Sequence, residues 1–536
     1  MKKKSIFLVA LILLQLSYFS GSSQAQVTQL HRVNRAVIND PFWNPKMELW
    51  ANTTATDVLD KFEGKHLKTA EEKDLNNVLE NFDKVAAGKK GQGGHAGLPW
   101  FDGFWIENRG RNSGYPLWLS WGNDKSEAWI REQKYKEGFS AAKARPTWGD
   151  YAQDSISVFE QKTIEGHAVR ATLLATGITA AALENHKPEY MQTADRLWDN
   201  MVGRRMFVTG GVGAIHDDEK FGADYFLPTN AYLETCAAVG AGFFSQRMNE
   251  LTGNGKYMDE FERVLYNNVL TGVSLSGRQY TYQNPLNAHK HARWEWHSCP
   301  CCPPMFLKMV SSLPDFIYSS AADRIYVNLF IGSNASIQLA DNNQVNITQK
   351  TEYPWKGSIA LSVNPHKKSD FSVLVRVPGW ARGKENPYDL YHSNLAGHYT
   401  IRVNGKPVKA NIENGYAVIK RKWKKADQIT LDLPVEPRMI TANAQVKDLK
   451  NQVALASGPL IYCLEAVDNA SLDSLEIGSS ALKLDFRKNL LNGVNVLTGN
   501  GTERGGKKVQ FLAVPYFASG NREGEGYRVW LKSTKK

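Results

Sequence analysis

The 536-residue chain lacks any apolar run long enough to cross a bilayer, any internal repeat and any low-complexity linker. The first absence excludes a polytopic membrane protein. A composition of 42% hydrophobic and 22% charged residues excludes a disordered or collagenous chain. Neither sign of charge dominates locally. Lys and Arg number 65 against 54 Asp and Glu, but the basic residues are dispersed among acids, so nucleic acid is not an expected partner. The one basic cluster, Lys420-Arg421-Lys422 with Lys424-Lys425, reads as a solvated strand edge, where Lys discourages edge pairing. No strand–glycine-rich–helix unit surrounds Gly211-Val212-Gly213, so that loop is not a phosphate fingerprint.

The N-terminus carries Lys2, Lys3 and Lys4, an apolar run over residues 5–19, and small residues at Ser23-Gln24-Ala25. At about 15 residues the run falls short of the roughly 20 needed for a span, and the pattern is that of a secretory signal over 1–25. No Cys closes the run, so a lipoprotein anchor is not expected. Removing three lysines and no acid takes the formal charge from +11 to +8. The mature protein is expected to be exported, periplasmic or secreted, with no membrane span left.

Cysteine is scarce, and its placement is informative. There are five: Cys236, Cys299, Cys301, Cys302 and Cys463. An exported protein normally pairs its cysteines as disulfides. Here three crowd into Cys299-Pro300-Cys301-Cys302, followed by Pro303-Pro304, and neighbouring cysteines bridge each other only with strain. Thiols packed this way in an oxidising compartment are best explained by a metal. Cys463 reads as a buried strand residue.

The pattern changes near residue 320. Residues 26–320 form a mainly helical domain, with 3.6-residue apolar stripes over 189–201 and 256–270 and an Ala- and Leu-rich stretch over 160–185. Pro303-Pro304 opens a further helix. Residues 88–122, rich in Gly, Trp, Asn and Arg, read as loop. About eight helices are clear, fewer than the twelve of a complete six-fold barrel, so an α/α barrel and a bundle both remain open. Residues 321–536 alternate instead, with strands over 324–331, 371–377, 401–404 and 428–433 and a hairpin signal at Asn404-Gly405. Antiparallel β-sandwiches are expected there.

Zinc takes four ligands drawn from thiolate, imidazole and carboxylate. Cys236 and Glu234 are the candidates outside the Cys299–Cys302 run. Residues two apart point about 200° apart on a regular helix, so both reach one ion only if Glu234 lies in an extended lead-in and the helix starts near Thr235. Cys301 and Cys302 stand just before the helix opened by Pro303, and a helix N-terminus favours thiolates. The loop from Thr209 to Glu219 reads as exposed and ends in carboxylates. His167 reads as a helical residue. Trp100, Trp105 and Tyr282 are rings that could stack on a ligand, with core packing the commoner role for any one of them.

These segments together resemble the bacterial β-L-arabinofuranosidase family of glycoside hydrolases, which uses a zinc-held cysteine as nucleophile. The likeness runs through Gly166-His167-Ala168-Val169-Arg170, Thr209-Gly210-Gly211-Val212-Gly213, Glu219, Asp224-Tyr225, Glu234-Thr235-Cys236, Asn284-Pro285-Leu286 and Cys299-Pro300-Cys301-Cys302-Pro303-Pro304. In the second half it includes Arg376-Val377-Pro378-Gly379-Trp380 and residues 458–465. The resemblance implies an α/α six-fold barrel, complete or short of some helices, followed by antiparallel β-sandwich domains. It implies Cys301 as nucleophile and Glu219 as acid/base. It implies Zn2+ held by Glu234, Cys236, Cys301 and Cys302, and His167 and Tyr282 in the sugar pocket.

The expected function is a retaining hydrolase that releases β-L-arabinofuranose or a related branched sugar from an oligosaccharide or polysaccharide of the plant cell wall. A sister activity on an acidic branched sugar of complex pectin would need a pocket cation, which Arg109 and Arg111 offer. A non-catalytic glycan-binding protein with a structural zinc, and a lyase of the same architecture, are the rivals from other classes.

Overall fold

The computed structural model describes residues 29–33, 36–68, 84, 87, 151, 153 and 156–534, except 291–292, 298, 471, 479–480, 504–505 and 523–525. The signal-like residues 1–25 lie outside the described residues. So does the loop-like stretch 88–122, with Trp100, Trp105, Arg109 and Arg111.

The described helices are α1 (Trp43–Leu49), α2 (Ala55–Phe62), α3 (Ala168–Asn185), α4 (Pro188–Asn200), α5 (Thr235–Thr252), α6 (Gly255–Val264) and α7 (Cys302–Ser312). Their ends follow from sequence. Pro188 opens α4 at the first turn, where a missing N–H is harmless. Asn254 caps α6 by accepting from Lys256 N at 3.0 Å. The Ala-rich stretch expected from 160 becomes helical only at Ala168, because Gly166 has φ +77° and His167 is extended.

Helices α3 and α5 carry the centre of the helical half. Both are buried on nearly every face, as interior helices are. Thr172, Thr176 and Thr179 of α3 return their hydroxyls to carbonyls one turn back, at 2.8–2.9 Å, so the helix buries them without loss. A Cβ at Gly240 of α5 would overlap the Thr172 side chain. Gly240 therefore sets how closely α3 and α5 cross.

The second half is β-rich. A six-stranded sheet runs in the order His31–Arg32, Tyr318–Ala321, Arg324–Val327, Ser369–Arg376, Tyr416–Trp423, Asn411–Glu413. A seven-stranded sheet runs from Lys406–Pro407 to Val37–Ile38. Their inward residues, among them Val345, Leu361, Val373 and Trp423, belong to one core, as in a two-layer sandwich. An eleven-stranded sheet follows, mostly from residues 437–534. Pairing is antiparallel except for Arg324–Val327 with Ser369–Arg376, and Glu476–Ile477 with Leu531–Ser533.

Three short strands depart from a clean division at residue 320. His31–Arg32 and Val37–Ile38 extend the six- and seven-stranded sheets, and Asn287–Ala288 adds to the eleven-stranded one. Two-residue strands leave no period in a sequence. The strand expected over 324–331 stops at Val327. Asn404 and Gly405 both take positive φ, 51° and 76°, in the two-residue hairpin where Val403 faces Lys406. The basic run sits on Tyr416–Trp423, whose outer neighbour pairs only with residues 416–418. Lys420 and Lys422 are thus exposed on an edge created by the partner's shortness.

The halves are tied by Arg376. Its fully buried guanidinium meets Asp259 at 2.7 Å and Glu262 at 2.6 Å, both on α6, and Gly379 N donates to Asp259 at 3.0 Å. This is the structural content of the Arg376-to-Trp380 motif.

Candidate active site

Glu234 caps α5 in an extended conformation (φ −59°, ψ 138°), and the helix begins at Thr235. Asn284 holds that lead-in. Its side-chain amide donates to Leu233 O and Thr235 Oγ1, each at 2.9 Å. Thr235 N donates to Tyr282 O at 2.9 Å. Glu234 and Cys236 consequently project to one side, which a regular helix forbids. On the facing element Cys301 caps α7 and Cys302 is its first residue, with Pro303 and Pro304 after it.

The four side chains converge. Cys236 Sγ lies 3.3 Å from Cys302 Sγ, Cys301 Sγ lies 3.9 Å from Cys302 Sγ, and Glu234 Oε1 lies 3.4 and 3.6 Å from Cys301 and Cys302. None of these cysteines forms a disulfide. A tetrahedral ion with metal–sulfur bonds of about 2.3 Å and a metal–oxygen bond of about 2.1 Å sets ligand separations of roughly 3.4–3.8 Å. The observed separations of 3.3–3.9 Å bracket those of such a cage. Glu234 Oε2 is buried without a hydrogen-bond partner. Burial, with Cys301 beside it, pushes the Glu234 carboxyl well up, and burial also raises the Cys236 thiol. A site whose burial penalises the anionic forms of Glu234 and Cys236 is one that a cation would relieve. The donor set therefore fits a metal ion.

A second group adjoins it. His167 is the N-cap of α3, not a residue within the helix as its spacing suggested. Its Nδ1 accepts from Arg170 N at 3.4 Å, and its Nε2 lies 2.7 Å from Glu219 Oε2. Tyr232 Oη donates to the other oxygen of Glu219 at 2.6 Å. Burial opposes ionisation of Glu219, but the bonds from His167 and Tyr232 outweigh it, and the carboxyl is held down to about 2. Burial also lowers His167. Acceptor atoms of His167, Glu219 and Glu234 lie within 4.8 Å of one another, so Glu234 belongs to both groups and joins them.

The loop before Glu219 is exposed only over residues 216–218. Residues 209–214 are buried, because glycine lets the backbone thread between packed elements. Gly213 takes φ +90°, and a Cβ there would stand 2.9 Å from the Ala168 Cβ. Asp218 and Glu219 then take φ 57° and 53°, a conformation that non-glycine residues adopt at a cost.

Tyr282 completes the wall. Its hydroxyl lies 3.6 Å from Cys301 Sγ and 3.9 Å from Cys299 Sγ. Burial, then the adjoining Cys301, pushes its pKa far up, so it is a neutral donor. Tyr232, Asn284, Trp294 and His297 also build the site, though sequence reading does not single them out as site residues. The Asn284-Pro285-Leu286 motif was the one available signal for Asn284.

Models described as the β-L-arabinofuranosidase GH127 catalytic, middle and C-terminal domains match residues 103–315, 324–435 and 437–532. A GH127 β-L-arabinofuranosidase from Geobacillus stearothermophilus T6 is 30% identical, with a TM-score of 0.70 over 91% of this chain and 81% of that one. The chain belongs to glycoside hydrolase family 127. A second solved family 127 structure, a β-arabinofuranosidase, is 26% identical with a TM-score of 0.79, covering 94% of this chain and 98% of that one. A non-reducing end β-L-arabinofuranosidase of Bifidobacterium longum subsp. longum is 31% identical over 422 residues, 71% of this chain and 61% of that protein. The chain thus spans about three fifths of the length of that curated relative. Within family 127 the Cys301–Cys302 pair and Glu234 fall in the stretch matched by the catalytic-domain model.

Proposed function

We propose that this chain is a retaining glycoside hydrolase that releases β-L-arabinofuranose, or a related branched sugar, from plant cell-wall glycan. We further propose that it is exported and that its helical half is an α/α six-fold barrel. One observation carries the chemistry. Three cysteine sulfurs and a carboxylate oxygen form a cage at the N-terminus of α7, beside a carboxylate held by His167 and Tyr232.

Retaining glycosidases need a nucleophile and an acid/base about the anomeric carbon. Cys301, the half-exposed member of the cage, is the nucleophile, and Glu219 is the acid/base. Glu234, Cys236, Cys301 and Cys302 would hold a zinc ion, whose charge keeps the thiol deprotonated at neutral pH. Cys301 Sγ attacks the anomeric carbon, the bond to the leaving oxygen breaks, and that oxygen takes a proton from Glu219. Water then displaces the sulfur and gives its proton back to Glu219, releasing the sugar. Tyr282 points its hydroxyl at the attacking sulfur and orients it. With both its oxygens accepting hydrogen bonds, Glu219 rests in the basic form that the second half-step uses. His167, 2.7 Å away, orients the carboxylate, and the proton that Glu219 takes from water in the second half-step is the one it gives in the first.

The test is hydrolysis of 4-nitrophenyl β-L-arabinofuranoside by wild type, Cys301→Ser and Glu219→Gln, with zinc measured on each sample. Turnover by wild type that both variants lose is expected. A wild type that binds one zinc per chain and turns over no glycoside would replace this reading with a glycan-binding protein. Turnover that survives Cys301→Ser would replace it with a lyase-like chemistry.

A further inference from the structure

Three rings stand beside the sulfur cage. Trp294 and His297 stack at 4.5 Å with planes 14° apart, and His297 lies 4.6 Å from Tyr282 at 33°. Tyr282 and Trp294, at 6.1 Å and 30°, are also close to parallel. The three rings make one slab that ends at the Tyr282 hydroxyl, against Cys301 Sγ. Trp294 and His297 are half-buried, so the slab keeps a face toward solvent. Such a face suits the C–H side of a sugar ring.

The tautomer of His297 is set by its own loop. Cys299 N lies 3.0 Å from His297 Nδ1. A backbone N–H can only donate, so Nδ1 is the acceptor and the ring hydrogen sits on Nε2. The Cys299 carbonyl is farther from the same nitrogen, at 3.2 Å, and does not compete. Burial lowers the His297 pKa, and the charge of Glu219 acts on the ring in the opposite direction. Nε2–H has no partner among the described residues. It is a neutral donor on a ring 4.6 Å from that of Tyr282, whose hydroxyl abuts Cys301 Sγ.

We propose that His297 is a specificity-determining residue. Its Nε2–H donates to a hydroxyl of the bound furanoside, while the half-buried Trp294 ring offers its face to the sugar. This rests on the glycosidase reading above. A polar donor aimed at a substrate hydroxyl discriminates strongly against a sugar lacking it, because the donor is then left unpaired. An apolar ring would pack equally well against either.

The experiment uses the full zinc-loaded chain, 4-nitrophenyl β-L-arabinofuranoside and its 2-, 3- and 5-deoxy analogues. His297→Asn places its amide oxygen where Nδ1 stood, preserving the bond from Cys299 N, and removes the distal donor. The expected result is one zinc per chain, a loss of about tenfold or more in kcat/KM on the parent glycoside, and the same rate as before on one deoxy analogue. His297→Gln, which carries its amide nitrogen near the Nε2 position, should recover part of the loss. Equal losses on the parent and all three analogues would overturn the proposal. So would parent kcat/KM within twofold of wild type. Loss of zinc from His297→Asn would make the residue a loop anchor only, and would overturn it as well. Failure of wild type to cleave the parent glycoside would instead defeat the underlying reading, and is told apart before any variant is made.

Discussion

Tyr232 gives Glu219 its shorter hydrogen bond, 2.6 Å to Oε1, from the extended stretch that two residues later supplies Glu234. One short piece of backbone therefore both anchors the proposed acid/base and supplies a ligand of the proposed metal cage. Tyr232→Phe should retain zinc and lower kcat/KM by about 10- to 100-fold. The lost donor favoured the ionised carboxyl, so the pKa of Glu219 should rise and the basic limb of the kcat/KM–pH profile should move to higher pH. Unchanged kinetics across pH would remove Glu219 from the reaction.

Chelation should take one zinc from each chain and abolish turnover, since removal leaves Glu234 buried with no compensating charge. The melting temperature should fall by several degrees, the linkage expected of a ligand that binds only the folded state. Calorimetry with and without chelator decides it. Identical melting curves and full activity would show that the cage holds no ion.

Glu260 offers a stability test far from the chemistry. It is 1% exposed, and burial raises its pKa to about 7, against the pull of Arg263 at 2.9 Å. A raised carboxyl binds its proton more tightly when folded. Its contribution is full below the unfolded value of about 4.3 and is lost as pH climbs through about 7. Glu260→Gln should flatten the decline in stability between about pH 5 and 7, by up to roughly 3 kcal/mol. Denaturant melts at the two pH values measure it, and parallel declines in both proteins would count against the argument.

Gly213→Ala should destabilise by about 1–3 kcal/mol, from the left-handed φ and the contact with Ala168. The displacement falls beside His167, so kcat/KM should drop as well. A variant of unchanged stability would mean that the 209–214 loop shifts freely.

Arg376→Met removes the bidentate partner of Asp259 and Glu262. Leaving the buried Glu262 without its cation, while Asp259 keeps Arg382 and Gly379 N, should cost about 3–5 kcal/mol. Separate melting of the helical and β-rich halves is the expected signature, and a single unshifted transition would show that the halves do not depend on this pair.

The helical-then-strand order was legible because it rests on local period and on local turn chemistry. The apolar stripes of α4 and α6 and the Asn404-Gly405 hairpin are properties of neighbours in sequence. So was a cysteine cluster able to hold a metal, since Cys299-Pro300-Cys301-Cys302 cannot pair within itself without strain. Even the start of α5 at Thr235 followed from requiring Glu234 and Cys236 to face one way. Tertiary structure alone decided the rest. That Asn284 clamps the lead-in to α5 and that Tyr232 and His167 share Glu219 depend on pairings across 49, 13 and 52 positions. The burial of the 209–214 loop and the two-residue strands near residues 31 and 37 belong with these. Each exists only because other parts of the chain pack against it, and a sequence records no period for a contact made at a distance.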